Sequence, residues 1–281
     1  GNRGLIAGNV LFDHVNINAT GANGQQQSAV FTSSTVTIRD SHVHDGTTGV
    51  YTMGDLTIER STFAGLYTGV YATNTTLGAL STTRITSSTF ANVTRDVAAV
   101  KTALQVDGST LIGASGIEQQ GAATVAIASS IVRSVTGTFT SGGFNVFGLA
   151  GMSSHPDDRV WLGLPGAALS DNGGPTPTWL PPGDASLLDA GLCALQGVNI
   201  KIDQRGLPRP SGAGCEIGAV EIQVPVVTYD ELKGAVDTRA SQVTVDALGV
   251  KVASIGSGVT SLDAKVAAID PTLVQKIGRA H

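Results

Sequence analysis

Long runs of Leu, Glu and Lys, the stuff of amphipathic helices, are missing from most of this sequence, and so are clusters of basic residues. The first absence argues against a helical bundle. The second argues against a nucleic-acid binder, which needs a positive face to release counterions, whereas 17 Lys and Arg against 22 Asp and Glu leave a net charge of −5. No apolar run approaches the roughly 18 residues that cross a bilayer, so no membrane span is expected. There is no initiating Met and no signal peptide, and the pattern is already under way at Gly1, so the chain reads as a piece of a longer protein. Cysteine is scarce too: Cys193 and Cys215 lie outside any CxxC or Cys/His spacing, which gives no sign of zinc. A disulfide closing their irregular, Gly/Pro-rich stretch is expected, with two unpaired buried thiols as the other reading. A disulfide would imply an oxidising compartment.

What the sequence does have is Gly, Ser, Thr, Ala and Val in short β-branched runs, with 41% apolar residues overall. That composition favours an all-β body. One local pattern recurs: an apolar residue, a small or acidic residue three further on, and an apolar residue two after that. It fits Val10, Asp13, Val15; Ile38, Ser41, Val43; Ile58, Ser61, Phe63; Ile85, Ser88, Phe90; Val106, Ser109, Leu111; and Ile127, Ser130, Val132, with starts 28, 20, 27, 21 and 21 residues apart. A unit this short cannot bury its own apolar face, so neighbours stack and share one. A fixed local pattern at variable spacing means strands in register with turns that absorb insertions. The expected fold is a parallel β-helix, each coil adding a rung about 4.8 Å above the last. A second rung is read at 49–52 (GVYT), 69–72 (GVYA), 99–102 (AVKT) and 116–119 (GIEQ). A β-sandwich, the other candidate, would show regular hairpin turns and would not need the aligned Ser column.

The copies LTIERSTFAGLYTGVYA and ITSSTFANVT resemble the repeats of secreted right-handed β-helix proteins and polymorphic outer-membrane proteins. More specifically, SGGFNVFG, then DNGGPTPTWLPPGDASLLDAGLC, then DQRGLPRPSGAGCEIGAVEI, within residues 141 to 222, is similar, motif after motif, to the end of bacterial surface β-helix proteins labelled choice-of-anchor Q. That resemblance implies a right-handed solenoid ending in a carboxy-terminal cap, on a secreted or surface-displayed protein. It implies no activity, since fold alone carries no chemistry. The expected organisation is coils over 1–150, final coils and cap over 151–223, and a linker with a helical, coiled-coil stalk over 224–281. In the cap, SLLDAG reads as a short strand, and Arg205 and Arg209 are placed to tie Asp203 and Glu216 by bidentate hydrogen bonds.

After Ile222 the chain departs from the resemblance. Thr228 and Glu231 suit a capping box. Val245, Val252, Val259, Val266 and Leu273 then fall seven apart, and Leu248, Ile255, Leu262 and Ile269 each follow a member of that series by three. These are the a and d positions of a coiled coil, so self-association as a trimer or dimer is expected, other surface proteins or glycans being further partners. Gly249, Gly256 and Gly258 weaken the helix by about 1 kcal/mol each, which makes it dependent on partner strands.

Candidate chemistry is sparse. Asp40, Asp45 and Asp55, with Glu59, form the densest acidic set and are the candidates for catalysis. The stretch VTIRDSHVHD offers His42, His44 and Asp45 as candidate metal ligands, though His42, in a column read as His14, His42, Thr62, Thr89, Thr110 and Ile131, is more simply one step of an outward ladder. Tyr51 and Tyr71 share a place in successive coils, as a sugar platform or a plain aromatic ladder. His155, Asp157 and Asp158 form a polar loop. No cofactor motif is present. The resulting expectation is a structural or adhesive module of an extracellular or cell-surface bacterial assembly, without catalysis. The alternative is a polysaccharide lyase or glycoside hydrolase of pectate-lyase-like or tailspike type, which would need convergent carboxylates or an acid-bound calcium.

Overall fold

In a computed structural model, the β-branched runs pair side by side, each pass of the chain laying its strands on those of the pass before. The structure describes residues 8–20, 28–74, 79–152, 154–162, 164, 168–181, 187–195, 198–223 and 229–267. They divide into two compact units, Gly1–Val224 and Pro225–His281. The first is mostly β. A seven-stranded parallel sheet takes Val10–Asp13, Val36–Arg39, Leu56–Glu59, Ser81–Thr86, Thr102–Asp107, Thr124–Ala128 and Thr140–Ser141 in that order. A twelve-stranded sheet takes the segments between them, also in parallel. Asn16–Asn18 and Ser28–Thr32 pair with His42–Thr52, which pairs with Thr62–Ala72. From there the sheet continues along two lanes, one beginning at Thr89–Ala91 and the other at Arg95–Ala99.

Register follows the inward apolar positions. Ile38, Ile58, Ile85, Val106 and Ile127 stand in one column. Val43, Phe63, Phe90, Leu111 and Val132 make a second, and Val50, Val70, Val97, Ile117 and Val135 a third. All are buried in one continuous core. Phe63 and Phe90 lie nearly parallel with centroids 4.6 Å apart.

The turn out of the seven-stranded sheet has a repeated physical solution. His14, Asp40, Arg60, Ser87, Gly108 and Ser129 stand at successive levels with φ of 53°, 49°, 46°, 45°, 51° and 49°. One left-handed residue redirects the chain, and its N–H donates to the strand-end carbonyl of the next pass: His14 to Arg39, Asp40 to Glu59, Arg60 to Thr86. The serine column follows immediately. Each Oγ donates to the carbonyl two residues back and accepts an N–H from the neighbouring pass, so that Ser41 N–H meets Ser61 Oγ, Ser61 meets Ser88, Ser88 meets Ser109, and Ser109 meets Ser130 at 3.1–3.2 Å. Asn145 Oδ1 ends the ladder on Ser130 N–H.

Two details of the repeat differ from expectation. In the first copy Phe12, not Val10, pairs with Ile38, so the spacing is 26 and Asn16, not His14, lies beside His42. A slip of two residues leaves the in/out alternation unchanged, so the apolar pattern cannot detect it. The third column runs through Val97, two residues before the AVKT stretch at 99–102.

The segment after 168 lies against the outer face of the twelve-stranded sheet. Thr62 Oγ1 donates to the Pro177 carbonyl, Ala219 N–H to Thr110 Oγ1 at 3.0 Å, and Leu192 N–H to Ser129 Oγ at 2.9 Å. Trp179, Leu187 and Ile217 pack with Ala91, Ile112, Ile131 and Val146 in a second apolar cluster. These contacts run along the side of the stack, where the cap was expected to act on its open end. The reason is that Thr62, Thr89 and Thr110 give the sheet a small, flat polar column on which another layer can seat. Cys193 and Cys215 form a disulfide, Cα atoms 5.5 Å apart, across an irregular segment in which residues 187–189 of SLLDAG make a turn and not a strand. Among the described residues of the second unit there is one helix, Tyr229–Ala267, with Asp230 and Glu231 in its first turn and Lys265 in its last, as the helix dipole favours. Thr228, the expected cap, lies outside the described residues, as do Ile269 and Leu273.

Candidate functional site

The expected catalytic carboxylates fall at three separate places. Asp40 occupies the left-handed corner after Val36–Arg39, and Arg60 grips it with two hydrogen bonds of 2.8 and 2.7 Å. The bond to Asp40 raises the Arg60 guanidinium above its ordinary value. Asp55 precedes Leu56–Glu59 at the opposite end of the same sheet and accepts the Thr82 N–H at 2.7 Å. A four-residue strand, five residue steps or about 16 Å, separates these two positions, well beyond the roughly 5–9.5 Å of a glycosidase pair. Asp45 is in the other sheet, inside His42–Thr52. Its φ of 53° matches Gly65 (62°) and Asn92 (55°) in the same column of later passes. Asp, Gly and Asn are the residues that tolerate this conformation, which accounts for Asp45 through the bend it makes.

His42 and His44 stand on one face of their strand, rings stacked at 4.5 Å. Both nitrogens of His44 are engaged, Nδ1 with Asp45 Oδ2 at 2.8 Å and Nε2 with Asn16 Oδ1 at 2.5 Å. His42 Nε2 is buried without a partner, and burial, seconded by His44, holds the ring below its ordinary pKa. His42, His44 and Asp45 thus stand side by side, with both nitrogens of His44 taken up and the Nε2 of His42 closed to solvent.

A cluster not anticipated from the sequence lies one level away: ligand atoms of Asp13, His14 and Asp40 are all within 4.8 Å of one another. Both carboxylates are already matched. Asp13 takes two bonds from Arg39, at 3.2 and 2.6 Å, and one from His14 Nδ1, and the Arg39 hydrogen bond brings its carboxyl down to about 2. With Arg39 Nε 3.7 Å from Asp40, the four charges alternate Asp13, Arg39, Asp40, Arg60 across three passes. A signal for it was present in sequence, since the register puts Asp13 against Arg39 and Asp40 against Arg60, but the two-residue slip in the first copy concealed it.

The aromatic column is longer than the two tyrosines, with Phe31, Tyr51 and Tyr71 stacked at 5.1 and 4.9 Å. Ring faces turned to one another at this spacing are not open to a sugar ring, and each pair is worth about 0.5–1.5 kcal/mol of ladder stability. In the polar loop, Asp158 receives Ser141 Oγ, Asn145 N–H and Nδ2, and the Ser154 and His155 N–H groups, so its carboxylate closes the end of the serine ladder. A recess of about 520 Å³ lined by Asn92, Val93, Thr94, Ile112, Gly113, Ala114 and Arg133 presents one charged group, and Arg133 already donates Nε and an Nη to the Ile112 carbonyl.

Three acids carry raised proton affinities, the first of them directly behind this recess. Asp96 is fully buried behind Gly113 and burial lifts it well above the carboxylate range. Asp107 is pushed up to about 6 by burial, against the Gln105 amide and Arg84. In the lateral segment burial and the neighbouring Glu221 carboxyl bring Glu216 up to about 7. There Asp203 holds Arg205 at 2.9 and 2.8 Å, and Glu221 faces the buried Arg209 at 3.4 Å. Both expected pairings differ from bidentate ties: Arg205 brings two nitrogens to the single oxygen Oδ2 of Asp203, and Arg209 faces Glu221, not Glu216, as an ion pair whose Nε makes no hydrogen bond. Each of the three acids sits apart from the others, buried in packing.

The heptad residues all belong to the helix as far as it is described. Val245, Leu248, Val252, Ile255, Val259 and Leu262 are 55–67% exposed. A second stripe, Leu232, Val236, Val243 and Val250, is equally open and lies about 150° away around the helix at 3.6 residues per turn. Its seven-residue intervals between Val236, Val243 and Val250 were readable but overlap the a/d series. No helix among the described residues is long and apolar enough to cross a membrane. Set beside known proteins, the chain matches no family model, no curated protein and no solved structure.

Proposed function

We propose that the first unit is a right-handed parallel β-helix serving as a structural or adhesive rod of an extracellular or cell-surface bacterial assembly, of the choice-of-anchor Q kind its terminal motifs resemble. Catalysis has no part in this reading, and the helical tail joins copies of the chain. The observation that carries it is the use of the outward charges. Asp13, Arg39, Asp40 and Arg60 neutralise one another from pass to pass, and Asp55 and Asp45 hold turns, so the polar surface serves the stack itself. The disulfide suits an oxidising compartment. The ten large apolar residues exposed among the described residues of the tail suit assembly, because a lone helix gains nothing by leaving them in water.

The test is incubation of the protein with acidic and neutral polysaccharides. Unchanged chain lengths are expected; unsaturated or reducing ends whose release is abolished by Asp40→Asn or Asp55→Asn overturn the structural reading. For the tail, light scattering of residues 1–223 against 1–281 is expected to give a monomer and an oligomer. Two monomeric masses remove self-association.

A further inference from the structure

We infer that a corner of the first unit and its lateral segment together form a binding site for a single sugar unit of an uncharged glycan. The inference gives the adhesive form of the reading above a ligand, and it rests on that reading. Its starting point is a buried hydroxyl. Ser87 is 2% exposed, and its Oγ has no hydrogen-bond partner among the described residues. A buried polar group in that state is costly, and native structures keep few of them.

The direction of this hydroxyl follows from its column. At the left-handed corner, side chains project onto the lateral segment: a Cβ on Gly108 would lie 2.8 Å from Ile200 Cδ1, and Ser129 Oγ accepts the Leu192 N–H at 2.9 Å. Ser87 stands one level before Gly108 and faces the same segment across a cavity of about 130 Å³. Glu59, Arg60, Thr86 and Ser87 make one wall of it, and Ile200, Lys201 and Ile202 the other. The second wall is held in place, since Ile200 N–H donates to the Cys193 carbonyl and Arg209 N–H to the Lys201 carbonyl, each at 2.8 Å.

The lining selects the ligand. Arg60 is neutralised by its two hydrogen bonds to Asp40, and Lys201 is matched in charge by Glu59, so the site has no surplus charge with which to hold a free ion. What it offers is donors and acceptors side by side, a carboxylate, an ammonium and two hydroxyls, with the 38% exposed Ile202 as an apolar side. Adjacent hydroxyls of a sugar meet both kinds of group at once, and the C–H face of the ring meets isoleucine. The volume is below the roughly 300–1,000 Å³ of pockets for larger ligands, so one ring enters and the rest of the glycan stays outside.

The test is saturation-transfer NMR on the full chain, with methyl glycosides of glucose, galactose, mannose and N-acetylglucosamine as probes and glucuronate, inorganic phosphate and glycine as charged comparisons. Binding of at least one neutral glycoside and of none of the charged probes is expected. Ser87→Ala is expected to weaken that binding about fivefold, and Glu59→Gln at least about tenfold, as loss of a neutral and of a charge-assisted hydrogen bond requires. Because Ser87 Oγ bonds nothing in the protein, Ser87→Ala is also expected to unfold in urea no earlier than the parent; an earlier midpoint overturns the premise that this hydroxyl is free. Unchanged affinity in Ser87→Ala overturns the site. So does binding of the charged probes alone, or of no probe, which leaves the cavity to water. Cleavage of a polysaccharide in the assay above removes the reading without catalysis and leaves these affinities standing, so the two failures are distinct.

Discussion

Gln204 is the residue on which the seating of the lateral segment can be tested most directly. It is fully buried, and its amide bridges parts of the chain more than a hundred residues apart: Nε2 donates to Thr62 Oγ1 at 2.7 Å and to Thr176 Oγ1 at 3.0 Å, while Oε1 accepts from Thr89 Oγ1 at 2.5 Å. In Gln204→Ala, Thr62 keeps its bond to the Pro177 carbonyl, but the buried Thr89 hydroxyl loses its acceptor. An orphaned buried donor costs about 1–3 kcal/mol and each of the other two bonds about 1, so the expected loss is about 4 kcal/mol. Urea unfolding followed by tryptophan fluorescence reads this where it happens, because Trp179 is buried in the cluster that the segment makes with the sheet. The second arm is Thr89→Val. Alone it strands the Gln204 carbonyl; in the Gln204→Ala background it removes a group already stranded, so its cost there falls below about 0.5 kcal/mol and the coupling is about 1–2. Strictly additive costs, or a Gln204→Ala loss under about 1 kcal/mol, refute the argument that this amide fastens the segment to the sheet.

Ser88→Ala removes the Oγ bond to the Thr86 carbonyl and leaves the buried Ser61 N–H without its acceptor, so a loss of about 2–3 kcal/mol in urea unfolding is expected. Reducing the Cys193–Cys215 disulfide, or Cys193→Ser with Cys215→Ser, frees a span of 22 residues and is expected to cost about 3 kcal/mol, seen as a lower fluorescence midpoint in reductant. Asp107 binds its proton more tightly folded, at about 6 against an ordinary 3.8, so its contribution is fully present at low pH and is lost as pH rises from about 4 to about 6. That shift corresponds to about 3 kcal/mol, and Asp107→Asn is expected to flatten the fall of stability across this window. An unchanged pH profile in the variant refutes the assignment.

How much of this was legible in the sequence depended on the physical source of each feature. Two inward columns and the Ser ladder were readable because each is a short-range pattern renewed at every pass: Ile58, Ser61 and Phe63 reappear as Ile85, Ser88 and Phe90. The third was readable in part, since Val50, Val70 and Ile117 fall in the stretches read for it whereas Val97 lies ahead of AVKT. The first register was not, since period-two alternation is blind to a slip of two and the tie-breaker is the left-handed corner, which the chain fills with His14, Asp40, Arg60, Ser87, Gly108 and Ser129 alike. No residue type marks that corner. The expected carboxylate set failed for a related reason. Proximity in sequence along one pass becomes distance in space, as with Asp40 and Asp55, whereas residues some twenty apart, as with Asp40 and Arg60, become neighbours.

In a stacked architecture of this kind the useful coordinate is position within the pass, and side chains at equal positions interact whatever their separation in sequence. That is why the acids that looked like a site are accounted for by partners one level away. Asp13 has Arg39, Asp40 has Arg60, and Asp45 shares its bend with Gly65 and Asn92. The tail helix obeys the opposite rule, since its apolar side chains have no equivalent level to meet within the chain. Among the described residues ten of them are open along one helix, on two stripes that nearly oppose each other. A pair joined through the a and d positions, as proposed above, would cover only the stripe from Val245 to Leu262. The shorter one, Leu232 to Val250, stays on the outside of such a pair, so the coil alone does not bury all the apolar surface that the helix carries into solution.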